Sequence, residues 1–425
     1  MIRLRTAIRL YPALWLGPVL IVMCSSYVVG YILRDPTVPY VTGLSSQPVT
    51  TLGLIVPIAA GLAAWEAARL RRGGLWDFPS VRGRLAVSSV PLALIWGVSV
   101  LSVTAGVLTA LIANGLLVPD PRPLIVVAVV VAAHTLGGFA LGLRLPVTVA
   151  APAAMIVSFV WQVMIRTVQP GWTHLLTGQS LEACCSPDID LAPVAVVAPV
   201  LVGLGIAAAG CVLIVRRPSV VTLAFAGVLL LAGLVPAASL ASTQPTGDPY
   251  VPRGEDQLVC AASIPAVCVW PEHRALLDET AAVVARAAGR WSSIGLDVPA
   301  RFDEDLFAVP RENTAHFGLG VVWSRDQLVD SLSYAMLPPW TDCPGAYLGV
   351  PAVDYLRAYY ALTAGMSPSG LQQVFAGIPS YENFDVLTVV HEVAEQNSEA
   401  QLKWVTRNDA ALRACDRRPQ LDPSA

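Results

Sequence analysis

The chain has 425 residues, is 55% hydrophobic and 13% charged, carries a net charge of −3 and has a mean hydropathy of +0.61. A soluble globular domain carries about 25% charged residues, so these values exclude an ordinary soluble enzyme and point to a membrane protein. The charge is uneven: residues 1–240 hold 14 Lys+Arg and 7 Asp+Glu, residues 241–425 hold 13 and 23, which sets a boundary near Ala241 between a basic apolar part and an acidic one.

Arg3, Arg5 and Arg9 precede a first apolar run from about Leu14 to Leu33. A basic start with an apolar core fits a signal peptide, but the run is long enough to cross a bilayer, which takes about 20 residues. It shows no small-residue cleavage site, so a retained span is expected. Further spans are expected at roughly 49–68, 86–113, 124–143, 146–165, 193–215 and 219–240. The third is overlong and has Pro91 and Gly106 as bending points. The fourth and fifth are joined by little more than Gly142–Pro146 and can also be read as a re-entrant pair. The expected fold is a polytopic α-helical membrane protein of about seven spans over 1–240, a linker over 241–257, and a mainly helical α+β extracytoplasmic domain over 258–425.

Positive charge flanking spans stays on the cytoplasmic side. With Met1 inside, the inside segments hold Arg3, Arg5, Arg9, Arg69, Arg71, Arg72, Arg82, Arg84, Arg144, Arg216 and Arg217, and the outside segments of this half hold only Arg34, Arg122 and Arg166. Seven spans then put residues 241–425 outside. Cys184, Cys185, Cys260, Cys268, Cys343 and Cys415 all fall in outside segments, where disulfides persist. The last four would make two bridges in any of three pairings; Cys184 and Cys185 are neighbours, and either could pair with the outside domain instead. Of 27 basic residues only Lys403 is a lysine, a mark of GC-rich coding that points to a bacterium and so to its plasma membrane.

Within the spans there is little ionisable chemistry. Glu66 and Arg69 sit at i and i+3 and can pair on one helix face. His134 is the one histidine within a span, and its plain role is a hydrogen bond to a neighbouring helix. Gly137, Gly138 and Gly142 follow it and suggest close helix packing. No span carries a row of acids or a proton relay, which argues against an ion pump or secondary transporter.

The most basic stretch is Glu66–Arg84, EAARLRRGGLWDFPSVRGR. Glu66, Arg69 and Arg72 end one span, and Pro79, Ser80 and Arg82 lead into the next. This arrangement resembles the first cytoplasmic loop of ABC-2 type permeases, the exporter-class membrane subunits of ABC transporters. The resemblance covers about 20 residues closely and the first 240 in general layout. It implies that Glu66, Arg69, Arg72, Pro79 and Arg82 dock on an ATPase. No GxxxxGK[ST] occurs in the chain, so that ATPase would be a separate subunit. The chain departs from the family, which usually has six spans and ends soon after them. Without the resemblance, the arginines read as topogenic charge that also binds anionic lipid.

In the outside part, ASTQPTGDPYVPRG (241–254) reads as a linker. A helix is expected from Pro271, with Leu276, Val283, Val284, Ala287 and Trp291 at helical spacing. A strand is expected at Phe317–Trp323, helices from Ser324 to about Met336 and at 351–364 and 367–376, and a longer helical stretch from Phe384 to Cys415 broken near Asn397. The sharpest motif is His391-Glu392-Val393-Ala394-Glu395. It is an incomplete HExxH, the pattern in which two histidines hold zinc and the glutamate activates water. Glu395 replaces the second histidine, and His391, Glu392 and Glu395, with Glu399 on the same face, are the main metal candidates; His273 and His316 would be third ligands only by chance, and His174 with Cys184 and Cys185 faintly resembles a metal cluster, where a disulfide is the expected reading. The plain reading is a solvated helix face, so no cofactor is expected. Trp270, Trp291, Trp323, Trp340 and Trp404 read as core or membrane-interface residues.

Three functions are therefore weighed: a permease subunit without chemistry of its own, a membrane-anchored sensor or binding protein, and a degenerate zinc-peptidase-like protein. The expected partners are the lipid bilayer, a separate ATPase subunit and a second copy of the chain. An acidic outside domain without a basic, aromatic-interleaved patch argues against nucleic acid.

Overall fold

Among the described residues, seven helical segments, all before residue 242, are long and apolar enough to cross a membrane. The computed structural model describes residues 11–34, 38–74, 83–217, 219–307, 311–320, 323–338, 348–382, 384–414 and 416–423. The chain divides into two units, Met1–Val251 and Pro252–Ala425.

The first unit is built from α1 (Pro12–Arg34), a short α2 (Val41–Ser46) running through a 3₁₀ turn (Gln47–Thr51) into α3 (Leu52–Arg72), α4 (Arg84–Ala113), α5 (Pro121–Gly142), α6 (Val147–Val163), α7 (Pro193–Val215) and α8 (Val220–Ala241). Between α6 and α7 lie three 3₁₀ turns (Met164–Thr167, Gly171–Leu176, Gln179–Ala183) and β1 (Ile189–Leu191), which pairs with β2 (Tyr250–Pro252). Helix α3 is central and packs on α5 and α6; α5 also packs on α7, α7 on α8, and α1 on α4. Outward faces are apolar: Val22, Leu101, Ile156 and Val235 are each more than half exposed. An apolar exterior of this extent is untenable in water and natural in lipid.

Close packing follows from small residues. A Cβ on Gly138 would overlap the carbonyl of Ala60, and one on Gly142 that of Ala64. Glycine every fourth residue on α5 thus faces alanine every fourth residue on α3, and the two backbones touch. Midway along this bundle His134 on α5 lies 2.9 Å through Nδ1 from the Ser158 hydroxyl on α6, so the histidine links two helices.

The second unit carries a four-stranded sheet in the order β3 (Val259–Ala261), β4 (Ala266–Val269), β5 (Arg301–Glu304), β6 (Thr314–Phe317). β3 runs antiparallel to β4, whereas β4, β5 and β6 are parallel, with Val267 beside Phe302 and Phe302 beside Ala315. A 3₁₀ turn (Pro271–Leu276) leads into α9 (Leu277–Ser293), which packs on β3 and β4; α10 (Arg325–Ala335) packs on β6. Helix α11 (Ala352–Ala364) contacts α9, α10, α12 (Pro368–Phe375), α13 (Val386–Ala394) and α14 (Ser398–Arg413). Its buried residues include Tyr355, Tyr359 and Tyr360. Tyr355 donates to the Phe384 carbonyl at 2.5 Å and Tyr359 to Gln401 Oε1 at 2.6 Å. Trp291, from α9, donates to the Tyr360 carbonyl at 3.3 Å. Trp270, Trp291 and Trp404 are buried, which makes them core residues.

One expectation is corrected: the strand read at Phe317–Trp323 is Thr314–Phe317. The break expected near Asn397 is present: α13 stops at Ala394, and Asn397 starts α14 by accepting from the Ala400 N–H at 2.9 Å. Gln401 holds the break by donating to the carbonyls of Ala394 (3.1 Å) and Gln396 (2.6 Å).

Replacing Gly142 by leucine should push α5 off α3 at an overpacking cost of about 1–3 kcal/mol, which is several degrees of thermal midpoint. Gly137→Leu is the control, since a Cβ there meets only Ile206 at 3.7 Å. Thermal unfolding of the purified chain that is equal for both variants would refute the close contact.

Candidate functional site

The basic end of the first unit is assembled from three helix termini. Helix α3 ends with Glu66, Arg69, Arg71 and Arg72 in or near its last turns. Glu66 is 2% exposed and pairs with Arg69 at 2.7 Å. The Arg69 guanidinium also lies 5.4 Å over the Trp65 ring. Arg71 reaches the α5–α6 turn and donates to the carbonyls of Leu143 (3.1 Å) and Leu145 (2.7 Å). From that turn Arg144 donates to Ala140 (2.8 Å) on α5 and to Leu213 (2.9 Å) near the end of α7. The last carbonyls of a helix have no partner within it and carry the negative end of its dipole. Guanidinium groups satisfy both needs, and here they tie α3, α5 and α7 together.

Of the five residues expected to form a docking loop, the structure brings Glu66 and Arg69 into contact and leaves Arg72 exposed. Pro79 and Arg82, with Ser80, lie outside the described residues. Arg71 and Arg144 emerge as the bracing residues instead. Their signal in the sequence is position: each sits at a helix C-terminus, where cations are favoured.

The opposite end holds a network that the sequence reading did not pick out. Asp120 caps α5, accepting from the Arg122 N–H at 2.8 Å. Arg122 forks between two carboxylates, 2.7 Å from Asp120 Oδ2 and 2.7 Å from Asp190 Oδ1. Thr42 donates to Asp120 Oδ2 at 3.1 Å, and the Asp120 N–H donates to Ser45 Oγ at 3.0 Å. α2, the start of α5 and β1 are thereby joined. Burial pushes the Asp120 carboxyl up, but the hydrogen bonds and charge of Arg122 and the Thr42 hydroxyl outweigh it and hold the group below its ordinary value. The sequence signal was the Asp-Pro-Arg-Pro run, a cap followed by proline at the first helical position. Arg166 is likewise paired, with Glu182.

In the second unit His391 and Glu392 lie on the exposed face of α13, and Glu395 is exposed at its cap. Glu399 belongs to α14, so it does not share a helix face with His391 as expected. Among the described residues no three His, Cys, Asp or Glu side chains gather as a metal site. His391 stands in an open groove between α12 and α13 with Gln372, Asp385 and Thr388. Among the described residues of this unit, a buried histidine–carboxylate contact joins His273 Nδ1 to Glu304 Oε1 at 2.5 Å, and Glu304 Oε2 accepts from the Trp270 N–H at 3.0 Å. Both side chains are sealed from solvent, which suits a structural lock at the carboxyl ends of β4 and β5. Cys260 and Cys268 are bonded across β3 and β4, and Cys184 is bonded to Cys185. Cys343 and Cys415 lie outside the described residues.

Residues 267–415 match the profile of a domain of unknown function, DUF7224. No curated protein and no solved structure matches the chain.

The Asp120 network carries a pH signature. Because the folded-state value of Asp120 lies below the unfolded one, its contribution is full at neutral pH and is lost as pH falls through and below the ordinary carboxylate range, about pH 4. Asp120→Asn should cost roughly 2 kcal/mol at pH 7, and the gap from wild type should shrink toward pH 3. Thermal midpoints across that range check this; a gap independent of pH would show that the charge is not what holds these segments.

Proposed function

We propose that the chain is a multi-pass membrane protein whose first unit is the permease subunit of an ATP-driven exporter, working with a separate ATPase. The observation that carries this reading is the braced basic end. Arg72 is exposed, while its neighbour Arg71 is fixed to the α5–α6 turn and Arg144 passes that connection to α7. A force applied by an ATPase at Glu66–Arg84 would reach three helices through four hydrogen bonds rather than dissipate in a loop. The resemblance of this stretch to the first loop of ABC-2 type permeases points the same way.

The proposed setting is a bacterial plasma membrane with the basic end in the cytoplasm. Charge supports it: on the opposite end Arg122 and Arg166 are each neutralised by carboxylates, whereas Arg71 and Arg144 spend their hydrogen bonds on carbonyls and keep their charge. Seven crossings then put the second unit outside, where a Cys260–Cys268 bond is stable. A second reading, a membrane-anchored binding protein acting through the second unit, is favoured by the profile match lying wholly within that unit.

The test is copurification of the tagged chain from mild detergent with mass spectrometry. A stoichiometric subunit bearing GxxxxGK[ST] is expected, and the double reversal Arg72→Glu/Arg82→Glu should abolish its recovery without loss of the chain from the membrane. Recovery of the chain with no such subunit would overturn the export reading and leave the second one.

A further inference from the structure

The turn between α5 and α6 holds two guanidinium groups side by side. Arg71, from the end of α3, donates to the carbonyls on either side of Arg144, those of Leu143 and Leu145. Its guanidinium is thereby fixed at the turn that carries the second one. Arg144 is pinned in its own way, through Nη1 to the Ala140 carbonyl and through Nη2 to that of Leu213. Burial first, and the nearby Arg84 charge second, hold Arg144 below its ordinary value. Among the described residues Glu66 is the one carboxylate at this end of the unit, and Arg69 takes it. Two like charges fixed at one turn repel each other, and an anion bound to both would relieve the repulsion.

The donors select the anion. A guanidinium has five N–H groups, and each of these two places a pair on carbonyls, so both keep donors while their positions are set. The Nε of Arg144 is sealed from solvent, so contact with a ligand falls to its Nη groups. Both side chains are only half-buried and so within reach of the surface. Arginine forks match the oxygens of a phosphate. The surroundings narrow the choice further. Val149, in the first turn of α6, and Val215, the last residue of α7, are close to half exposed, so the charged turn borders the apolar exterior of the bundle. A phosphate carried on acyl chains suits both features.

We propose that Arg71 and Arg144 at the α5–α6 turn form a site for the phosphate of an anionic phospholipid, whose acyl chains lie along the apolar surface beside the turn. The assignment goes beyond the export reading; it rests on this unit lying in a bilayer and involves no ATPase.

The test is native mass spectrometry of the full chain, released from a neutral detergent after incubation with equal amounts of phosphatidylglycerol and phosphatidylcholine. One phosphatidylglycerol per chain is expected to be retained in preference to phosphatidylcholine and to resist millimolar inorganic phosphate. An arginine that merely lies near an anionic surface is worth about fivefold in affinity, so Arg217→Gln, on the α7–α8 loop, should lose no more than that, whereas Arg71→Gln and Arg144→Gln should each lose about tenfold or more. A second readout covers damage to the brace: the rise in thermal midpoint on adding phosphatidylglycerol, taken for each variant from its own lipid-free value, should persist in Arg217→Gln and vanish in Arg144→Gln. Equal retention of the two lipids, equal losses in Arg144→Gln and Arg217→Gln, or a rise that survives in Arg144→Gln would overturn the proposal. Displacement by inorganic phosphate would overturn it too, by assigning the site to the free anion. Because no ATPase enters the measurement, its outcome is independent of the copurification result.

Discussion

The approach of α5 to α3 is the contact on which the first unit depends. Gly138 and Gly142 let the α5 backbone lie against Ala60 and Ala64. In lipid no hydrophobic force drives helices together, so such contact rests on van der Waals packing and on polar groups satisfied across helices. The geometry then sets what the ends can do. Because Gly142 is the last residue of α5 and is pressed on α3, the turn that follows it comes within reach of Arg71. A larger residue at 142 would move that turn away and strand the guanidinium. The close contact and the brace are thus one device: the first supplies proximity, the second fixes the ends.

The two ends solve the same problem with different partners. Each must satisfy helix-terminal groups, and each uses arginine. At one end Arg71 and Arg144 serve carbonyls, which leaves their positive charge in place, while Arg69 is paired with Glu66. At the other, Arg122 serves both Asp120 and Asp190, so its positive charge is more than offset within the network. Of the arginines counted in the sequence as eleven against three, Arg122 and Arg166 among the three are paired with carboxylates, and so is Arg69 among the eleven.

The apolar helices were legible because each is a long uninterrupted run, and their ends fall within a few residues of the hydropathy limits. The exception is the second segment, where Val41–Thr51 continues the run by way of α2 and a 3₁₀ turn; Gly43, Ser45, Ser46 and Gln47 lower its hydropathy, and its burial comes from neighbours. In the second unit α9 was legible from its spacing, but β5 was not. Arg301-Phe302-Asp303-Glu304 reads as a polar loop. It is a buried strand because Asp303 is paired with Arg301 and Glu304 is locked to His273 and the Trp270 N–H. Burial of an acid cannot be read from one chain when the partner that makes it tolerable lies 31 residues away. The candidate docking residues were half legible: composition marked the basic stretch, whereas only geometry separates Arg71, which braces, from Arg72, which is exposed.

The His391-Glu392-Val393-Ala394-Glu395 stretch illustrates the same limit from the other side. As a string it carries the spacing of a metal-binding helix. In the fold that spacing runs out at a helix end. Val389, Val390 and Val393 face the core, which turns His391 and Glu392 outward, and the break held by Gln401 and Asn397 puts Glu399 on another helix. A zinc site needs its ligands converging from buried faces with further donors opposite. Here the aromatic core around Tyr355 and Tyr359 fixes which face of α13 is inward, and that face is valine. The core thus decides the fate of the motif, and the chemistry of this unit has to be sought in the groove beside His391 or at the carboxyl ends of the parallel strands.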